Sequence, residues 1–161
     1  MMNLYKYYNK VGLDNESYAD PLSLLMFFDT SGCYEPIMHI IKKIPRYAYF
    51  YTSDVTRDRW IEAEPYIKKD SKYAYYYAKD VIRGRWVEAE PYIKKDSNLA
   101  YLYALHVIRD RWVEAEPYIK KDSYFAYMYA RNILKKRWLE VEPYIMTCDV
   151  TWTWYCGHFK I

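Results

Sequence analysis

Along residues 71–96, Tyr73, Ala74, Tyr77, Ala78, Val81 and Ile82 recur at i, i+1, i+4, i+5, i+8 and i+9. That spacing gathers them on one face of a helix. Asp70 stands just before the run, where a carboxylate accepts the free amides of a first turn. Asp96 and Asp122 hold the same place in later copies, and Pro45 takes the first helical position in the earliest one. Gly84 predicts a helix stop. Asp58, Asp110 and Lys136 fill that position elsewhere, so the turn does not require glycine.

After each stop comes Arg-Trp-x-Glu-(Ala/Val)-Glu-Pro-Tyr-Ile, which occurs four times with Trp60, Trp86, Trp112 and Trp138 spaced 26 residues apart. A second, shorter helix is predicted after Trp86. Glu88 and Glu90 lie near its start and Lys94 and Lys95 near its end, the order that a helix dipole favours. Glu64 with Lys68, Glu90 with Lys94 and Glu116 with Lys120 form i, i+4 pairs in the better orientation. Pro91 fits only the first turn of such a helix. Each unit is therefore a helical hairpin.

The expected fold is all-α, an α-solenoid of four hairpins over residues 45–148. Ala74 and Ala78 let neighbouring helices approach, and the four tryptophans are expected to fill the seams. Residues 1–44 form an atypical N-terminal cap, with Ile41-Lys42-Lys43 in register with Ile67-Lys68-Lys69. Residues 149–161 form an aromatic C-terminal cap, with Trp152 and Cys156 in the two alanine positions. The alternation of Val150, Trp152, Trp154 and Cys156 also permits a strand, but a cap helix over the last apolar face is the favoured reading.

Composition narrows the class further. The 161 residues are 52% hydrophobic and 20% aromatic, with 22 tyrosines, which implies thin layers with hydroxyls near water or bonded partners. A net charge of +3 is too small to imply a polyanion partner. The polar start has no apolar signal core, and no run is long enough to span a membrane. Cys33, Cys148 and Cys156 make no disulfide framework, so a reducing, cytoplasmic setting is expected.

The stretch from Arg83 to Trp112 keeps the Trp, the Glu-x-Glu-Pro group and the Tyr-Ala-Tyr group (Leu99-Ala100-Tyr101 in this copy) in one register, and the pattern holds over about residues 41–146. This resembles the tandem helical-repeat proteins of bacteriophages and giant viruses. The chain departs from that pattern at Ile61, Val87, Val113 and Leu139, where the family often has proline, and at the serines that follow the capping aspartates. The resemblance implies a viral origin and a helical-repeat fold. It carries no activity.

Catalysis needs a nucleophile, base or metal placed once, in a pocket. Here the recurring polar residues recur in every unit. Glu62/Glu64, Glu88/Glu90, Glu114/Glu116 and Glu140/Glu142 read as dipole and ion-pair groups rather than acid–base pairs. Cys148, Cys156 and His158 match no common zinc spacing and lack a fourth ligand. No enzyme, metal or cofactor is expected.

One stripe is a candidate for recognition. Tyr75, Lys79 and Arg83 lie at i, i+4 and i+8, and the other units place there Tyr49 and Arg57, Tyr101 and Arg109, and Tyr127, Arg131 and Lys135. Stacked units would align rings beside cations. Such a ladder suits a partner protein, or the bases and phosphates of a single strand; the alternative is that the tyrosines pack between units. Positions that vary among copies (Arg46, Lys72, Asn98 and Tyr124; Ser53, Lys79, Leu105 and Arg131; Asp54, Asp80, His106 and Asn132) mark the expected recognition face. The leading expectation is a non-catalytic binder of a protein partner, in viral form an inhibitor of host defence. Single-stranded nucleic-acid binding and self-assembly through Trp152, Trp154 and Phe159 are the alternatives.

Overall fold

The computed structural model describes residues 34–161; the expected N-terminal cap lies largely outside the described residues. Ten α-helices and no strand make up the described fold. Helix α1 (Tyr34–Ile41) leads into α2 (Pro45–Phe50), and the later long helices begin at α4 (Ser71–Tyr76), α6 (Ser97–Tyr103) and α8 (Ser123–Tyr129). Between them lie the short helices α3 (Glu64–Ile67), α5 (Glu90–Ile93), α7 (Glu116–Ile119) and α9 (Glu142–Ile145). The chain ends on α10 (Asp149–Phe159).

The start signals act as the sequence predicts. Asp70 accepts the amides of Lys72 and Tyr73, Asp122 those of Tyr124 and Phe125, and Asp96 that of Leu99. Cys148 takes the same position before α10 and makes no such side-chain cap. Its sulfur instead accepts a bond from the Thr151 hydroxyl at 3.3 Å, which helps to lower the thiol pKa.

The stop differs from the expectation. Helices α2, α4, α6 and α8 each widen into a π-helical turn, at Tyr51–Thr56, Tyr77–Ile82, Ala104–Ile108 and Ala130–Leu134. Its terminator is a cation in the left-handed region: Arg57 (φ 54°), Arg83 (φ 58°), Arg109 (φ 60°) and Lys135 (φ 52°). Gly84 sits one residue beyond and does not carry the turn. Asp58 and Asp110 accept the amides of Arg59 and Arg111 at 2.7 Å, pinning the chain as it leaves.

Successive long helices pack on one another from α2 through α4, α6 and α8 to α10, and each short helix packs on the long helix of its own unit. Ala48, Ala74, Ala78, Ala100, Ala104, Ala126 and Ala130 are fully buried, as close helix approach requires. Within the motif, Trp86, Trp112 and Trp138 are buried and Trp60 is half-buried, while Ile67, Ile93, Ile119 and Ile145 are completely enclosed. The tryptophans therefore belong to one continuous core. The C-terminal segment is helical, which removes the strand alternative: Tyr155 is buried, with Trp152 stacked on it at 5.7 Å and Phe159 against its ring at 4.7 Å.

Candidate functional site

The repeated polar residues form a network. The backbone N–H of Trp86 donates to the hydroxyl of Tyr103 at 2.7 Å, and that hydroxyl donates to Glu90 Oε1 at 3.3 Å. Arg85 grips both oxygens of Glu90, each at 2.9 Å. The same geometry joins Trp60, Tyr77, Glu64 and Arg59; Trp112, Tyr129, Glu116 and Arg111; and Trp138, Tyr155, Glu142 and Arg137. Each Tyr comes from the long helix of the following unit. The network thus ties every unit to the next.

This corrects the expected pairing. Glu64, Glu90 and Glu116 are ion-paired to arginines five residues before them rather than to Lys68, Lys94 and Lys120. The fork of arginine matches both carboxylate oxygens at once, which one lysine ammonium cannot do. Lys94 instead reaches over the Tyr118 ring of the next unit at 5.9 Å. Burial, and then the neighbouring carboxylates, push the phenol pKa values of Tyr77, Tyr103 and Tyr129 well above the usual range. The bond from Arg137 holds Glu142 below the ordinary carboxylate value.

The expected recognition stripe divides in two. Tyr75, Tyr101 and Tyr127 are buried, and Tyr49 is half-buried with its hydroxyl on Asp80 at 2.8 Å. Lys79, Arg83, Arg109, Arg131, Lys135 and Arg57 are exposed. The tyrosine sits in the α-helical part of its long helix and packs into the core, whereas the last cation follows the π turn, beyond the helix end. Two of the variable positions also serve packing, since Asn132 donates to Tyr101 at 2.7 Å just as Asp80 accepts from Tyr49. Of the three variable sets, only Arg46, Lys72, Asn98 and Tyr124 are exposed in every copy.

A different recurring feature lies at the surface. Ile61, Val87, Val113 and Leu139 occupy the variable position of the motif and are 61%, 63%, 56% and 65% exposed. Glu62, Glu88, Glu114 and Glu140 follow them and are also exposed. The sequence held a signal for this row: aliphatic side chains recur where the next residue is always charged.

Among the described residues, no group of histidine, cysteine and acidic side chains could hold a metal ion, and no helix is long and apolar enough to cross a membrane. Cys33 lies outside the described residues. Protein-family models, curated proteins and solved structures contain no match to the chain.

Proposed function

We propose that this chain is a non-catalytic α-solenoid of four hairpin repeats that binds a partner protein along its row of short helices. The exposed aliphatic side chain in all four units supports this reading most directly. Soluble surfaces scatter single apolar residues, but the same position left apolar and uncovered in each copy makes a spaced row of anchors. An exposed glutamate follows each anchor, Glu62, Glu88, Glu114 and Glu140, while the second glutamate of the motif is neutralised by its arginine, as Glu90 is by Arg85. The row is therefore acidic at its edges, and its occupant is an apolar segment carrying basic residues.

The resemblance to viral repeat proteins gives this binding a specific form, the occlusion of a host protein, which would act in the cytoplasm. The single-strand alternative draws less support, because buried rings at Tyr75, Tyr101 and Tyr127 offer no stacking surface. Self-assembly through the C-terminal end retains one supporting observation, the 49% exposure of Trp154.

The test is capture of the partner by immobilised protein, comparing the natural chain with Val87→Asp/Val113→Asp and with Lys79→Gln/Arg131→Gln. Photo-crosslinkers at positions 87 and 113 identify what touches the row. Loss of one specific protein only in the valine variant is the expected result. Equal capture by all three forms would refute the assignment of this row.

A further inference from the structure

The seam between the second and third units holds an open cleft of about 530 Å³. Lys79, Arg83, His106 and Arg109 line it, together with Asp80 and Gly84. Three permanent cations thus face one carboxylate, and that carboxylate already accepts from the Tyr49 hydroxyl at 2.8 Å and pairs with Lys79 at 3.6 Å. Arg83 and Arg109 each turn only Nε back to a helix-end carbonyl, of Asp80 and His106, at 3.4 Å. Their Nη groups have no acceptor among the described residues.

A structural role for the arginines explains part of this. Cations near a helix C-terminus are favoured by the dipole. Yet each occupies a left-handed position where glycine or asparagine is the cheaper choice. The dipole also does not account for the difference between seams. At the equivalent places, the seam between the first and second units has Ser53, Asp54 and Asp58 where this one has Lys79, Asp80 and Gly84, and Asp80 where this one has His106. The next seam has Leu105 in place of Lys79 and Asp110 in place of Gly84. The last has cations on one side only, because Ile161 falls where Arg109 stands here. In this cleft alone among those four seams, a lysine and an arginine from one unit oppose an arginine from the next, with glycine in place of an acid or a third cation.

The geometry points to a binding site for a compact phosphate-bearing ligand, a phosphomonoester or diphosphate, held between the Arg83 and Arg109 forks with Lys79 as the third cation. Paired guanidinium forks suit phosphate oxygens, and the cleft is of the size that small ligands use. The difference between seams argues against a polymer, which would need the same cations at every step.

Calorimetric titration of the intact chain with inorganic pyrophosphate at low ionic strength tests this. The expected result is saturable binding that weakens about tenfold or more in Arg83→Gln/Arg109→Gln, as loss of charge-assisted hydrogen bonds implies. Gly84→Asp restores the acid found in the first and third units, and a Cβ there meets nothing within 4 Å. It should fold normally and also weaken binding. No saturable heat, or equal affinity in all three forms, would overturn the site. A twelve-nucleotide thymidine strand that bound the natural chain more tightly than pyrophosphate would overturn the compact-ligand assignment.

Discussion

The hydroxyl of Tyr103 accepts the backbone N–H of Trp86 at 2.7 Å, although the two residues lie in neighbouring units. The ring of the same tyrosine packs on Trp112 of its own unit at 5.0 Å between centroids. One side chain therefore bridges two tryptophans that are 26 residues apart. Tyr77 and Tyr129 repeat the arrangement, with Trp60 and Trp86 and with Trp112 and Trp138.

Because the tryptophans share this core, their truncation should be costly in proportion to burial. Trp112, 2% exposed, should lose about 3–5 kcal/mol on replacement by alanine. Trp60, half-buried at the first seam, should lose less. Urea unfolding of the two variants checks the order, and equal losses would contradict it.

Alkaline pH should unfold the protein. Tyr49, Tyr75, Tyr77, Tyr103, Tyr129 and Tyr155 all have raised phenol pKa values, chiefly through burial, and Tyr75 is pushed up to about 12. A raised folded value means that the folded chain holds these protons more tightly than the unfolded one. Their contribution is complete below the unfolded value of about 10 and is lost as pH climbs through the folded values. Phenolate absorbance from these residues should appear together with loss of helical circular dichroism. Full ionisation with the helices intact would contradict the burial.

The sequence made the helices legible because their signals are local. Asp70, Asp96 and Asp122 cap helices, Pro91 lies in a first turn, and the alanines mark the close approach. The π turn was not legible, since i→i+5 bonding leaves no distinct hydrophobic period over so short a run. The network was missed for another reason: its partners lie 17 and 13 residues apart, outside any single helix. A clue was present nonetheless. Tyrosine persists at positions 51, 77, 103, 129 and 155, even in the last helix, where Trp152 and Cys156 replace the alanines.

The left-handed cations give a separate prediction. Non-glycine residues in that region cost about 1–2 kcal/mol each. Arg109→Gly should therefore stabilise the fold by about 1 kcal/mol in urea unfolding, and it should weaken pyrophosphate binding at the same time. A destabilised variant would show that the guanidinium's contact with the His106 carbonyl outweighs the backbone strain.

A double-mutant cycle on Tyr103→Phe and Glu90→Gln, read by urea unfolding, measures how far the repeated polar groups hold one unit to the next. Tyr103→Phe leaves the buried Trp86 amide without its acceptor and should cost about 1–3 kcal/mol. Because Glu90 shares that hydroxyl, the two losses should fail to add by about 0.5 kcal/mol or more. Single losses below about 0.5 kcal/mol that sum in the double variant would show that the network does not join the units.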